Sequence, residues 1–250
     1  MVVPERPAVA PVADGLGCEA VSFVLVAVVA VGCGLAAYGV GPWLLRRIPE
    51  PALEEGDTKT PYKELAGTRA AAWCGGIAAV AGGLLGWRLG WSAPLAAWLL
   101  LATIGAVLCY IDVRTRFLPS AIIWPTYLGV TVLLTGASLV TGDWHALVRA
   151  AEGGAITFVF FYVMWWVYPS GIGFGDVRLS GLLGAALGWL GWGELIIGVY
   201  GGFVLGAVIG IVLMVAKVFE RKAFAFGPFM LAGALLGAVA GGPIASTYLG

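Results

Sequence analysis

Four of the fourteen acidic residues in this 250-residue chain stand at the ends of long apolar runs: Asp112, Glu152, Asp176 and Glu194. A carboxylate at membrane depth is costly, about 2.5 to 3.5 kcal/mol for Asp at a helix centre on insertion scales, and is a functional candidate by default. Two carboxylates brought within a few ångströms resist ionising together, so such a pair shares a proton. It then offers a general base and a general acid at once. The ionised member can take a proton from water attacking a peptide carbonyl; the protonated member can polarise that carbonyl and later protonate the leaving amine. The scheme calls for no nucleophilic side chain, no metal and no cofactor. Which of the four can pair depends on the elements that carry them.

Those elements are apolar. The chain is 60% hydrophobic and only 11% charged, too little charge for the surface of a soluble protein of this size, so lipid is its main solvent. Net charge is zero, which gives no reason to expect nucleic acid or another polyanion as a partner. The 39 glycines lie scattered among Ala, Leu and Val, as suits helices that pack closely in a membrane.

Crossing the hydrocarbon core takes about 20 apolar residues in a helix. Uncharged windows number eight: Ala20–Leu45, Ala70–Trp87, Leu89–Ile111, Phe117–Gly142, Gly153–Gly175, Leu179–Gly193, Leu195–Ala216 and Ala223–Gly250. None alternates with period two, so the expected fold is an all-α integral membrane bundle of about eight transmembrane helices rather than a barrel. With both termini outside, eleven of the fourteen basic residues fall on the cytoplasmic side, and only Arg6, Arg88 and Arg149 fall outside. This arrangement puts Asp112 and Asp176 on the cytoplasmic face and Glu152 and Glu194 on the outer one. Only Asp112 and Asp176 can meet.

The sixth window is short, 15 residues or roughly 22 Å as a helix against a ~30 Å slab. To span, it must take Asp176 and Arg178 into its first turn, so Asp176 is expected to line a cavity near the interface. An Asp at a helix start is also an ordinary cap. Asp112 has no such structural excuse, because a carboxylate at a helix C-terminus opposes the dipole. Each aspartate is followed by Val-Arg, but positions two apart do not share a helix face, so Arg114 and Arg178 are expected to snorkel toward head groups. Pro228, in the segment FGPF, is well placed for the first turn of the last helix, with a packing or hinge role near the site.

Residues 1–19 are expected to be a retained polar tail and 20–250 a single transmembrane domain, with a cytoplasmic loop at 46–69 whose prolines and mixed charge suggest an irregular conformation. Cys18, Cys33, Cys74 and Cys109 form no CxxC pair and suit small apolar core positions. His145, the only histidine, is expected in a short loop without a second histidine to help hold a metal.

Three segments, YIDVRTRFLP, GIGFGDVRLSGLLGAALGW and AFAFGPFMLAGALLG, in that order, resemble the marks of bacterial prepilin leader peptidases, membrane aspartic endopeptidases of the GxGD class. The likeness covers Leu99 to about Gly241, within a peptidase core at about 95–242. It implies that Asp112 and Asp176 are the catalytic aspartates and that Gly173 and Gly175 are the motif glycines. It also implies a multi-pass plasma-membrane enzyme with its site facing the cytoplasm. Its substrates would be type IV pilin-like (prepilin or pseudopilin) precursors, cut between the basic leader and the hydrophobic helix. Bifunctional members carry paired CPxC motifs in the first cytoplasmic loop and methylate the new N-terminus. The 46–69 loop has no cysteine, so the resemblance does not bring the methyltransferase activity with it.

The main alternative is a transporter or proton-coupled channel using the same acids, which calls for acids distributed through the bilayer or an inverted repeat. Neither is visible in the sequence. A presenilin-type cut within the bilayer fits poorly with acids at the interface.

Overall fold

A computed structural model describes residues 16–50, 61–169, 172–215 and 225–248. These form nine helices: α1 (Leu16–Arg47), α2 (Tyr62–Leu65), α3 (Thr68–Leu89), α4 (Leu95–Thr115), α5 (Ser120–Thr141), α6 (Trp144–Val167), α7 (Phe174–Leu190), α8 (Trp192–Val215) and α9 (Gly227–Tyr248). No strand occurs among the described residues. Seven of these helices, all but α2 and α7, are long and apolar enough to cross a membrane. The eighth expected span is α7, only 17 residues. Each of the eight windows holds one helix, and the chain is a multi-pass membrane protein.

The bounds differ from expectation in three places. Helix α1 begins at Leu16, inside the expected polar tail 1–19; positions 1–15 lie outside the described residues. Helix α6 starts at Trp144 and takes in His145, Arg149 and Glu152, so His145 lies in a helix and not in a loop. Asp143 caps this start, its side chain accepting from the Ala146 N–H at 2.9 Å. The 46–69 loop contains the short helix α2, while its positions 51–60 lie outside the described residues.

Small residues let the helices meet at backbone distance. Along α6 and α7, a Cβ placed on Gly153 would lie 2.8 Å from the Gly184 carbonyl oxygen, and one on Gly188 would lie 2.7 Å from the Arg149 carbonyl oxygen. Gly198 and Gly237 make the same kind of seam between α8 and α9, and Gly34 and Gly75 between α1 and α3. Such approach maximises dispersion contact where no hydrophobic drive distinguishes lipid from protein.

Helix α7 is the most enclosed element. Twelve of its residues are buried, including Val177, Leu179, Leu182, Leu187 and Trp189. Its polar groups are met by its neighbours. The Tyr127 hydroxyl of α5 donates to the Arg178 carbonyl at 2.7 Å, and Trp189 donates from Nε1 to Ser138 Oγ at 3.1 Å. At its far end Arg149 of α6 donates from Nε to the Gly188 carbonyl and from Nη2 to the Trp189 carbonyl, each at 2.7 Å. A cation placed on the last carbonyls of a helix satisfies orphan acceptors and complements the dipole. This explains how α6 keeps a charged residue the window count had left outside a span.

Candidate active site

Alternating helices bring the C-terminal end of α4 and the N-terminal end of α7 to the same end of the bundle. Asp112 lies in the last turn of α4 and Asp176 is the third residue of α7. Both are buried, with exposures of 4% and 8%. The ends of α1 and α4 and the starts of α3 and α7 bring Arg46, Arg47, Arg69, Arg114, Arg116 and Arg178 to this same end. Glu194 is at the opposite end, beside Gly191 and Gly242. Exposed Glu152 belongs to the first half of α6, also toward that end.

Asp176 is held by its own helix start. Its Oδ2 accepts from the Gly173 N–H at 3.2 Å, and its N–H donates to the Gly173 carbonyl at 3.0 Å. The carboxylate thus answers one of the free donors of the first turn. Phe174 next to it is clamped, with Trp165 at 4.9 Å between ring centroids and the Arg178 guanidinium 4.6 Å from its ring. Arg178 also donates from Nη1 to Ser120 Oγ at the start of α5. It is therefore tied into the protein and does not reach for head groups, because Phe174 and Ser120 meet it first. Exposed Arg114 stays on α4, with its guanidinium 6.0 Å from the Tyr110 ring.

Asp112 is held from across the bundle. The Gly227 N–H, at the start of α9, donates to its Oδ2 at 3.0 Å. That amide is one of the free donors at a helix N-terminus, so α9 directs the positive end of its dipole at the carboxylate. This resolves why an acid stands at the unfavourable end of α4: a second helix compensates for the first. Phe226 fixes the approach, its ring 5.4 Å from Phe203 of α8 and 6.2 Å from Phe161 of α6. Pro228 follows at the second position of α9, where no intrahelical donor is lost.

One side chain links the two carboxylates' surroundings. Leu118, 4% exposed, would meet a Cβ on Gly175 at 2.7 Å from its own Cβ and a Cβ on Gly227 at 3.3 Å from its Cδ1. A Cβ on Gly227 would also lie 2.8 Å from Asp112 Oδ2, and one on Gly173 3.3 Å from Asp176 Oδ2. Gly173, Gly175 and Gly227 therefore leave the space that the two acids and Leu118 occupy. The two carboxylates are close enough to interact electrostatically.

Beside Asp112 opens an apolar cleft of about 700 Å³ between α3, α4 and α9. Trp73, Gly76, Ala102 and Gly105 line it, and it reaches Cys109, one turn before Asp112, and Pro228, next to Gly227.

Reading the sequence alone did not single out Gly227 or Leu118. The FGPF segment pointed to the place, but a backbone N–H has no residue signature. The available signal was the need of Asp112 for a donor that its own helix end cannot supply.

Residues 98–242 match the type IV leader peptidase family. The chain is 28% identical over 176 residues to a prepilin leader peptidase/N-methyltransferase of Stutzerimonas stutzeri, covering 67% of this chain and 57% of that protein. To the protein so named in Burkholderia pseudomallei strain 1026b it is 36% identical over 149 residues, covering 56% of this chain and 45% of the relative. For the Neisseria gonorrhoeae protein of that name the identity is 32% over 152 residues, with coverages of 58% and 49%. The matched part thus spans about half the length of these relatives. No solved structure matches. The family match runs from the end of the first turn of α4 into α9 and takes in both aspartates, all three site glycines and Leu118: the chain belongs to the type IV leader peptidase family.

Proposed function

We propose that this chain is a membrane-embedded aspartic endopeptidase that removes the basic leader from type IV pilin-like precursors at the cytoplasmic boundary of the plasma membrane. The observation that carries the reading is the pairing of two buried acids, Asp112 and Asp176, at one end of the bundle, each held by one glycine N–H. Membership of the family supports prepilin-like proteins as the substrate class.

In this mechanism one carboxylate is ionised and the other holds the shared proton. The ionised acid takes a proton from water as its oxygen bonds to the scissile carbonyl carbon. The protonated acid donates toward the carbonyl oxygen and stabilises the tetrahedral intermediate. The C–N bond then breaks, the amine leaves with a proton, and the pair returns to its starting charge. Gly173 and Gly175 keep side chains away from Asp176, which gives a substrate backbone room to approach. The cleft beside Asp112 is apolar up to Cys109, so a hydrophobic precursor helix can lie next to the acid without burying polar surface.

The cytoplasmic orientation rests on the basic residues gathered at the same end as the acids. Labelling of Lys59 only after the cytoplasmic face is opened is the expected result; labelling in intact cells overturns the orientation.

The test of function is co-expression with a pilin-like precursor, read by gel mobility. The wild-type chain shortens the precursor. Asp112→Asn and Asp176→Asn each lower cleavage by on the order of 1,000-fold while still inserting. Wild-type processing by either variant would rule out the two-aspartate mechanism.

A further inference from the structure

Tyr62 belongs to the four-residue helix α2, a short element outside the spans, yet it is 1% exposed. Its backbone is fixed from α1: the Glu50 carboxylate, just beyond the end of that helix, accepts from the Tyr62 N–H at 2.9 Å and the Lys63 N–H at 3.3 Å. Leu65, one turn on, is also buried, so α2 is anchored on both sides of the ring.

The phenol enters the site region without finding a partner. Among the described residues the buried Tyr62 hydroxyl has no hydrogen-bond partner. It lies beside Thr115 without meeting it in bonding geometry, and Thr115 directs its own proton to the Ile111 carbonyl at 2.9 Å. Asp112, one turn before Thr115, acts electrostatically on the phenol. A buried tyrosine hydroxyl ordinarily has a partner, and leaving one without is destabilising. An acceptor arriving from outside the protein removes that cost.

We propose that Tyr62 is a third polar group of the active site, its hydroxyl donating a hydrogen bond to the substrate carbonyl on which Asp112 and Asp176 act. The inference rests on the peptidase reading above. Its chemistry suits the role: burial first, with the Glu50 and Asp112 carboxylates adding to it, pushes the phenol up to about 12. Tyr62 therefore keeps its proton at neutral pH and serves as a neutral donor, not as a competing acid or base. A donor already in place costs no reorganisation as negative charge grows on the carbonyl oxygen. No bond to Tyr62 forms or breaks.

The experiment is Tyr62→Phe in the full chain, with steady-state cleavage of a pilin-like precursor peptide and thermal unfolding measured on the same preparation. The expected result is a fall in kcat on the order of 100-fold, KM changed by less than about 3-fold, and an unfolding temperature that is equal or higher. A hydroxyl that merely held the fold would lower the unfolding temperature when removed, whereas loss of an unpartnered one does not. The inference is overturned if Tyr62→Phe retains wild-type kcat, or if its activity falls only in step with its stability. Asp112→Asn in parallel separates the two claims. If wild type cleaves and Asp112→Asn does not, unimpaired Tyr62→Phe overturns the role of Tyr62 alone; if wild type cleaves nothing, the peptidase reading falls and takes this inference with it.

Discussion

The N–H of Gly227 donates to the carboxylate of Asp112 at 3.0 Å, across 115 positions of sequence and from the start of a different helix. A Cβ at Gly227 would stand 2.8 Å from Asp112 Oδ2 and 3.3 Å from Leu118 Cδ1. Gly227→Ala must therefore displace the acid or α9. The expected outcome is at least a 10-fold loss of cleavage, with the chain still inserted in the membrane. Kinetics on purified Gly227→Ala check this; unchanged kcat would show that the amide contact is dispensable.

The two glycines before Asp176 are expected to respond differently. A Cβ on Gly175 meets Leu118 Cβ at 2.7 Å, a contact with an atom fixed to the backbone that no rotamer change relieves. Gly175→Ala should cost about 1–3 kcal/mol of stability as well as activity. Gly173 has φ −72°, which any residue adopts, and its nearest obstacle is Asp176 Oδ2 at 3.3 Å. Gly173→Ala should keep its stability within about 0.5 kcal/mol of wild type and lose activity by crowding the carboxylate. Melting curves and cleavage rates of both variants decide the matter.

Arg149 serves the opposite end of α7, far from the acids. Its two bonds to the Gly188 and Trp189 carbonyls satisfy acceptors at that helix end. Arg149→Met keeps the aliphatic length and removes the donors. Stability should fall by about 1–3 kcal/mol, while kcat of the folded fraction stays near wild type. An equal loss of kcat at unchanged stability would contradict that division of roles.

Arg116 ends α4 with φ 55°, the one left-handed non-glycine among the described residues, and its N–H donates to the Asp112 carbonyl at 2.7 Å. Glycine adopts this conformation without the clash that costs L-residues roughly 1–2 kcal/mol. Of two variants that both remove the arginine side chain, Arg116→Gly should unfold at a higher temperature than Arg116→Val. The comparison is a thermal melt in one detergent.

Much of this architecture is legible in the sequence because lipid imposes simple rules. Uncharged windows find each spanning helix, and the shortness of the sixth places Asp176 in the first turn of α7, where it stands. Putting Asp112 and Asp176 at one end needs only alternation of the helices. What escapes is whatever depends on a partner from another element. Arg149 and Glu152 lie within α6 because carbonyls of α7 receive the arginine, and a window bounded by charge cannot anticipate that. Gly227 is unreadable as the partner of Asp112 because an amide looks the same at every residue. Tyr62 was hidden in a segment whose prolines and charges suggested an irregular loop, and only its burial marks it out.

Helix α7 is about 25 Å long, less than the thickness of a bilayer's hydrocarbon core, yet it is enclosed by its neighbours, including the 22-residue α5 and the 24-residue α6 and α8. Hydrophobic mismatch is felt by the surfaces that touch acyl chains, and those belong to the longer helices. The depth of Asp176 is thus set by the protein's own scaffold, so a thicker or thinner bilayer can tilt the outer helices while the acid keeps its level relative to Asp112.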